Sequence, residues 1–373
     1  MEKLKIVCPC HFGLESVVAG EMRRLGFEDV SSENGKVSFM GGFKEIASAN
    51  INLRTAERVL IEVASFTALS FEDLFQGTKA VNWEDFIEKD EAFPVKGWSL
   101  NSKLHSVPDC QSIIKKAVVK RLESKYNISI FPETASKHQI QFSIMKDKVC
   151  LYLDTSGEGL HKRGYRKNSN AAPIKETLAA GILDIARVKG YSTVYDPMCG
   201  SGTFLIESYL RATKTAPGLK RSFAIEKWKC VDPVFFRDAR GEAIEKIDHS
   251  VEFQAFGSDL DSDCVFLTAE NAKKAGANSR ISVKKSDVKD FVLPEKGIII
   301  CNPPYGERIS DIKNAEELYK TMGKIMVPKK DVQYFIISPH EDFENLFGRK
   351  ASKKRKLYNG MIKCNLYQYF LEK

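Results

Sequence analysis

The sequence has no long apolar run. None of its hydrophobic segments approaches the roughly 20 residues that a transmembrane helix needs, so we expect no membrane partner. The apolar stretch beside Lys3 and Lys5 is too short for a signal-peptide core, and no small-residue cleavage site follows it. These absences predict a cytoplasmic protein.

The cysteines do not form a disulfide framework. The 373 residues include nine cysteines, an odd number without any Cys-x-x-Cys pair, which indicates reduced thiols. Cys8, Cys10 and His11 form a cluster that could suggest a metal site, but a second ligand pair at zinc-finger spacing is missing. We therefore expect no metal.

Positive charge is in excess and is concentrated in two places. The chain has 57 basic and 49 acidic residues, a net charge of +8, which favours a polyanionic partner. The residues that we expect to bind RNA are His161, Lys162, Arg163 and Arg166 in one cluster and Lys353, Lys354, Arg355 and Lys356 in the other. The alternative for each cluster is a solvated surface or loop.

The front of the chain alternates short strands and helices. A strand is predicted at 4–8, a helix at 14–25 that ends at Gly26, and a helix capped by Asp109. Alternating apolar residues on both sides of Lys146-Asp147 predict a hairpin over 140–153. This pattern is typical of small α+β domains.

From about residue 155 the pattern becomes that of a doubly wound α/β sheet, because apolar strand segments alternate with helical ones. The predicted strands are 193–195, 253–257, 281–283, 298–301 and 334–337, and the predicted helices between them are 203–211, 263–275 and 315–327. The segment 356–371 lacks a helical period and predicts an antiparallel hairpin at one edge.

The segment 196–203 joins the first of these strands to a helix. Gly200 and Gly202 permit a tight turn and a close approach to a ligand. No Lys-[Ser/Thr] completes a phosphate loop, and no third glycine completes a dinucleotide fingerprint. Asp196 suits a ligand with an ammonium group, such as S-adenosylmethionine, although glycines in such a turn are often purely structural.

Two further acids end the next strands. Asp259 lies where doubly wound folds bind ribose hydroxyls, and Asp287 lies where an adenine amino group would be. Asp259 has an alternative role as the cap of the following helix, a role that Asp261 fits equally well. Surface exposure is the alternative for Asp287.

The fourth strand runs directly into Asn302-Pro303-Pro304-Tyr305. The prolines fix a rigid turn at the carboxyl end of the sheet. The Asn302 amide oxygen and the Pro303 carbonyl can accept both protons of a planar amino group, while Tyr305 offers a ring on which an extruded base can stack. We assign catalytic roles to these three residues, and orientation supplies much of the rate.

These two motifs, in this order, resemble the amino-group class of S-adenosylmethionine-dependent methyltransferases. The segments 153–166 and 172–178 and the opening 8–15 are similar to the THUMP-domain RNA methylases, and most similar to the bacterial large-subunit ribosomal RNA guanine-N2 methyltransferases of the RlmL type. The resemblance covers nearly the whole chain. It implies a ferredoxin-like region at 1–53, an RNA-binding THUMP domain at 54–155 and a Rossmann-like methyltransferase domain at 156–373.

The resemblance also implies that Thr177 helps to enclose the cofactor. The residues expected to contact S-adenosylmethionine are Thr177, Asp196, Pro197, Cys199, Gly200, Gly202, Thr203, Asp259, Asp287 and Asn302. The expected reaction forms N2-methylguanosine in 23S ribosomal RNA. Enlarged bacterial members carry a second methyltransferase domain, and since this chain stops at Lys373 we expect the guanine-N2 reaction alone.

Other functions fit parts of the pattern. Relatives with the same architecture methylate guanine N2 in transfer RNA, and DNA adenine-N6 methyltransferases also use Asn-Pro-Pro-Tyr. The long front region argues against a DNA enzyme, which would more often carry a groove-reading module. A protein glutamine methyltransferase leaves the basic clusters without a purpose. An RNA-binding protein with a decayed catalytic domain conflicts with the intact motifs.

Overall fold

The computed structural model describes residues 3–166, 173–306 and 309–371. The first half of the chain builds one seven-stranded sheet of order β2-β3-β1-β4-β7-β6-β5. Its strands are β1 Leu4–Pro9, β2 Glu28–Glu33, β3 Lys36–Gly41, β4 Leu60–Thr67, β5 Val95–Leu100, β6 Ile140–Met145 and β7 Lys148–Asp154. Its helices are α1 Glu15–Arg24, α2 Phe43–Asn52, α3 Phe71–Lys79 and α4 Val107–Tyr126.

Most of the predicted front elements are confirmed. The hairpin of β6 and β7 turns at Lys146 and Asp147, which both have positive φ, as a tight two-residue turn requires. Asp109 does not cap its helix, because α4 begins at Val107 and Asp109 lies in the first turn. Helix α3 was not predicted from the sequence; its capping box, Ser70 with Asp73, is the signal that would have revealed it.

The second half builds a sheet of order β10-β9-β8-β11-β12-β14-β13. The strands are β8 Thr193–Asp196, β9 Gln254–Asp259, β10 Ile281–Lys285, β11 Gly297–Cys301, β12 Val332–Ser338, β13 Lys353–Asn359 and β14 Ile362–Tyr369. The helices are α5 Glu176–Ile185, α6 Thr203–Ala212, α7 Val234–Glu245, α8 Ser262–Ala275, α9 Ile309–Ile325 and α10 Phe343–Phe347. The predicted doubly wound Rossmann-like sheet is confirmed, and β14 is its antiparallel strand.

The two halves are joined by shared packing. Helix α7 was not predicted, and its residues Phe236, Ala239 and Ala243 are buried in the core of the first half, together with Phe43 of α2. A helix that belongs to the second half by sequence thus completes the first core. In the described ranges, no helix is long and apolar enough to cross a membrane.

Candidate active site

The carboxyl ends of three parallel strands define the candidate site. Strand β8 lies between β9 and β11, and all three run in the same direction. The segment that follows each strand therefore emerges at one edge of the sheet, where doubly wound folds bind ligands. Asp196, Asp259 and Asn302 end or directly follow these strands, so the structure brings the predicted residues to a common edge.

The two glycines of the loop 196–203 serve different purposes. Both have positive φ, 53° at Gly200 and 79° at Gly202. A Cβ on Gly202 would lie 2.6 Å from the Thr268 side chain, whereas a Cβ on Gly200 would meet nothing within 4 Å. Gly202 is therefore required for helix packing, and Gly200 leaves open space beside the loop backbone, into which a ligand can fit.

Asp196 is buried at the start of this loop. Its carboxylate accepts a hydrogen bond from the Met198 backbone N–H at 3.2 Å, and its side chain has no ion-pair partner within the described ranges. Burial, with a smaller contribution from the nearby Asp259, raises the pKa of Asp196 to about 8. A buried carboxyl without a cation is suited to a ligand that brings a positive charge.

Asp259 holds the loop in place and does not cap the next helix. Its carboxylate accepts from the Gly200 N–H at 2.9 Å and from the Asp261 N–H at 3.0 Å. The helix cap is Asp261, which accepts from the Asp263 N–H. Asp287 accepts from the Lys289 N–H at 2.9 Å and starts a short turn after β10.

Two residues of α8 position the loop and were not predicted from the sequence. The Thr268 hydroxyl donates to the Gly200 carbonyl at 2.8 Å, and the Asn271 amide donates to the Ser201 carbonyl at 3.1 Å. Both side chains are fully buried. Polar residues three apart on the inner face of a helix are the signal that could have identified them.

The remaining loop residues contribute mainly through their backbone. The Cys199 N–H donates to the Ser258 carbonyl at 2.9 Å, and the Cys199 side chain packs against Thr268. Pro197 is buried, and its carbonyl lies 3.4 Å from the Ser258 hydroxyl. The hydroxyl of Thr203 lies 3.3 Å from the Arg166 guanidinium.

The segment after β11 presents acceptors at the same edge. The Tyr305 hydroxyl donates to the Asn302 amide oxygen at 2.6 Å and accepts from the Asn359 amide at 3.2 Å. Burial raises the pKa of Tyr305 well above its ordinary value, so the hydroxyl keeps its proton. Within the described residues no group donates to the Pro303 carbonyl, whereas the Pro304 carbonyl accepts from Tyr319.

Thr177 lies at the contact between the two halves. It is fully buried, and its hydroxyl donates to the Glu57 carboxylate, which also receives Lys175 at 2.9 Å and lies 3.0 Å from His11. Because the hydroxyl proton is already given to Glu57, Thr177 could contact a ligand only through its backbone, its methyl group or the acceptor side of its oxygen. Its cofactor-enclosing role stays a prediction.

Two members of the first basic cluster face inward, which corrects the expectation that they bind RNA. Arg163 is buried, and its guanidinium donates to the carbonyls of Leu160 and Arg54 and lies 3.4 Å from Glu207. Arg166 donates to the Glu176 carboxylate at 2.8 Å. Lys162 is exposed, His161 is half-buried near Glu57, and the adjoining Lys167 lies outside the described residues.

The second basic cluster lies on the edge strand β13 and not on a loop. Lys353, Lys354 and Lys356 are exposed, and Lys354 pairs with Glu344 at 2.6 Å. Arg355 is half-buried and donates to the Gly13 carbonyl at 2.9 Å and to the Ser16 hydroxyl at 2.7 Å. Lys353 and Lys356 are therefore open to a polyanion, Lys354 is exposed but shared with Glu344, and Arg355 instead joins the two halves of the molecule.

Metal-binding clusters of three or more His, Cys, Asp or Glu side chains are absent from the described ranges. Cys8 and Cys10 are both buried, and burial raises the pKa of the Cys10 thiol to about 12.

Three family models match the chain. Residues 163–368 match the RMKL-like methyltransferase domain, residues 5–60 the RlmL ferredoxin-like domain and residues 68–154 the THUMP domain. "Putative RNA methyltransferase YpsC" of Bacillus subtilis is 44% identical over 99% of this chain and 97% of its own length. "Ribosomal RNA large subunit methyltransferase K/L" of Psychromonas ingrahamii is 32% identical over 98% of this chain, and the chain spans 50% of its length.

Two solved structures share the fold over nearly the whole chain. SMU.472, "a putative methyltransferase complexed with SAH", is 40% identical, with a TM-score of 0.94 and coverage of 100% of this chain and 99% of that one. "A predicted N6-adenine-specific DNA methylase" from Listeria monocytogenes is 41% identical, with a TM-score of 0.92 and coverage of 99% and 96%. These likenesses extend over both sheets described above.

Proposed function

Since this chain belongs to the RMKL-like methyltransferase family, we propose that it is an S-adenosylmethionine-dependent RNA methyltransferase that forms N2-methylguanosine, with 23S ribosomal RNA as its substrate. The observation that carries the amino-group chemistry is the pair of acceptors at Asn302 and Pro303, at the edge of the sheet that also presents Asp196 and Asp259. A cytoplasmic location belongs to the same proposal, because ribosomal RNA is its expected substrate.

The residues at this edge fit S-adenosylmethionine. Asp196 offers a buried carboxyl to the ammonium of the methionine part. The open space at Gly200 lets the methionine part of the ligand approach the loop backbone. The Asp259 carboxylate uses each oxygen for one backbone N–H, and the remaining lone pairs can accept ribose hydroxyls. Asp287 would take the adenine amino group. When bound, S-adenosylmethionine supplies an electrophilic methyl group.

The chain's own residues orient the nucleophile. A planar amino group donates one hydrogen to the Asn302 amide oxygen and the other to the Pro303 carbonyl, which aims its nitrogen lone pair out of the plane of the base. The Tyr305 hydroxyl fixes the Asn302 amide because it donates to the same oxygen. An amide oxygen has two lone pairs, so it can accept from Tyr305 and from substrate together. The methylated nitrogen then loses one proton to solvent.

This geometry modifies the expected role of Tyr305. The ring is half-buried against the core of the second half, and the hydroxyl is held by Asn302 and Asn359. Tyr305 therefore positions Asn302 in the first place. Contact of an extruded base with this ring stays part of the proposal.

The choice of RNA rests on the first half of the molecule. Residues 68–154 match the THUMP domain, and Lys353, Lys354 and Lys356 add exposed positive charge along the edge strand β13, whose last residues reach the edge of the sheet that presents the site. The choice of ribosomal RNA rests on relatives named for the large ribosomal subunit. Transfer RNA is an alternative substrate with the same chemistry. The proposed domain limits, 53/54 and 155/156, fall between α2 and β4 and directly after β7.

A DNA adenine-N6 methyltransferase is the second candidate, because one structure of the same fold is described as a predicted enzyme of that kind. The two functions separate in one experiment. The protein is incubated with labelled S-adenosylmethionine and, in parallel, with total RNA or duplex DNA. Label in RNA supports the proposal. Label in DNA alone would overturn it, and label in neither would favour a decayed enzyme.

A further inference from the structure

An aromatic pair, the exposed Phe12 and the half-buried Tyr358, joins the first half of the molecule to the carboxyl edge of the second sheet. Phe12 lies in the loop after β1, and Tyr358 lies near the end of β13. Their ring centroids are 5.8 Å apart with an interplanar angle of 64°. Phe12 is 53% exposed although it contacts another ring, so part of its ring surface is open to a ligand.

The chain holds Phe12 in this exposed position. One side of its ring lies against Gly35, where an added Cβ would be only 3.1 Å from the ring. The next residue, Gly13, contacts β13 so closely that a Cβ would lie 2.3 Å from the Lys356 carbonyl. The Arg355 guanidinium also donates to the Gly13 carbonyl. The loop is thus fixed on the hairpin while the outer side of the Phe12 ring faces solvent.

Positive charge surrounds the pair. The Lys356 ammonium lies 5.5 Å from the centroid of the Tyr358 ring. Lys363 is paired with Tyr358 across the hairpin, so both side chains lie on the same face of the sheet. Both lysines are exposed, and neither forms an ion pair within the part of the chain that the structure describes. Solvent-accessible aromatic rings beside unpaired cations are typical of sites for single-stranded nucleic acid, and here the ring of Phe12 is exposed and that of Tyr358 is half-buried.

The pair is also continuous with the catalytic residues. Asn359 follows Tyr358 and donates to the Tyr305 hydroxyl at 3.2 Å, and Tyr305 in turn donates to Asn302. The turn between β13 and β14 lies at the carboxyl edge of the sheet, because β13 runs parallel to β12. Tyr358 is thus next to Asn359 in the chain, at the carboxyl edge of the sheet, while its ring points to the opposite face of the strand.

We propose that Phe12 and Tyr358 form a platform on which an unpaired nucleotide next to the target guanine stacks, with Lys356 and Lys363 binding its phosphates. This inference rests on the proposed function, since it takes RNA as the substrate. It gives the ferredoxin-like region a direct part in substrate positioning. Phe12 and Tyr358 act on orientation and have no role in methyl transfer itself.

The competing explanation is that Phe12 and Tyr358 form a purely structural contact between the two halves. The substitution Phe12→Leu distinguishes the two explanations. Phe12→Leu keeps an apolar side chain against Gly35 and Tyr358 but removes the flat ring. Phe12→Trp keeps a ring face. Tyr191→Ala is the matched control, because Tyr191 is 77% exposed and precedes β8 at the opposite edge of the sheet.

The test measures methyl transfer to total RNA from a strain that lacks this protein, with saturating cofactor. We expect Phe12→Leu to lower kcat/KM for RNA roughly tenfold, as loss of one stacked base does. Phe12→Trp and Tyr191→Ala should retain the wild-type value. The affinity for S-adenosylhomocysteine and the unfolding midpoint should be the same in all four proteins.

Each outcome decides the matter. An unchanged kcat/KM in Phe12→Leu would overturn the platform. A lower kcat/KM together with a lower unfolding midpoint or weaker S-adenosylhomocysteine binding would also overturn it, in favour of a structural contact. If the wild-type protein labels no RNA, the proposed function fails and takes this inference with it. The wild-type measurement thus separates the two failures.

Discussion

The Tyr305 hydroxyl and the Asn302 amide oxygen are 2.6 Å apart, so the acceptor proposed for the substrate is itself held by a hydrogen bond. The bond fixes which end of the Asn302 amide is the oxygen. The hydroxyl of Tyr305 thus gives this residue a role that a phenylalanine could not fill.

Removal of this hydroxyl should affect catalysis more than binding. We expect Tyr305→Phe to lower kcat about tenfold, near the upper end of what one hydrogen bond contributes, because the Asn302 amide loses its orientation. The affinity for S-adenosylhomocysteine should be unchanged. Steady-state methylation and calorimetry on the same preparation check both. An unchanged kcat would show that Asn302 is held by other contacts.

The buried Asp196 should release a proton when the cofactor product binds. Its pKa of about 8 means that the free protein carries a neutral carboxyl at pH 6.5, whereas a bound ammonium requires the carboxylate. The α-amino group of S-adenosylhomocysteine, for which a usual pKa is about 7.7–8.0, is already protonated at pH 6.5 and therefore takes up few protons on binding. Calorimetry of S-adenosylhomocysteine binding in buffers of different ionisation enthalpy should therefore report close to one proton released.

Asp196→Asn is the control for this measurement. It should release no proton and bind S-adenosylhomocysteine more weakly. Its stability should also differ from that of the wild type in a defined direction. The pKa of Asp196 is higher in the folded protein than the value near 3.9 in the unfolded chain. The contribution of this carboxyl to the free energy of unfolding is therefore lost as the pH rises towards 8. Asp196→Asn should therefore unfold at a higher temperature than the wild type at pH 8.5. Equal proton release by both proteins would contradict the assignment.

The two loop glycines should respond differently to alanine. Gly202→Ala should lower the free energy of unfolding by about 2–4 kcal/mol, because positive φ and overpacking against Thr268 add together. Gly200→Ala meets no neighbour and should cost only about 1–2 kcal/mol. It should nevertheless weaken S-adenosylhomocysteine binding, because the methyl group enters the open space. Chemical denaturation and calorimetry compare the pair; equal stability losses would refute this distinction.

The basic strand β13 should divide into two kinds of residue. Replacing Lys353, Lys354 and Lys356 by glutamine should weaken RNA binding and reduce the slope of log K against log salt by about 0.7 for each RNA phosphate that the variant no longer neutralises. Arg355→Gln should mainly lower stability, because it loses its bonds to Gly13 and Ser16. Filter binding over a salt series checks this. An unchanged slope in the lysine variant would make the strand a solvated edge.

Most strands and helices of the second sheet could be predicted, because the parallel strands are short apolar runs and the helices between them keep their period. The hairpin at Lys146-Asp147 was equally clear. Helix α7 could not be predicted from the sequence, because its buried residues pack on α2, about 190 residues earlier in the chain. Its amphipathic face matches a partner that no local pattern reveals.

The residues of the candidate site also fall into those that the sequence could predict and those that it could not. The strand ends with Asp196, Asp259 and Asn302 could be predicted, because the carboxyl ends of parallel strands share one edge. The sequence could not predict whether a charged residue faces outward. At Arg163 the local density of charge suggested a surface position, but the guanidinium is buried and donates to backbone carbonyls. The contact of Tyr305 with Asn302 likewise depends on the fold of the turn.

The identity of the methylated nucleoside tests the account most directly. Ribosomal RNA from a strain that lacks this protein is incubated with the wild-type protein or Asn302→Ala and S-adenosylmethionine, digested to nucleosides and analysed by mass spectrometry. We predict N2-methylguanosine in 23S RNA with the wild type and a decrease of roughly 100-fold or more in its rate with Asn302→Ala, because an acceptor aimed at the reacting amino group is lost. Methylation of another nucleoside, or an equal rate with Asn302→Ala, would contradict the account.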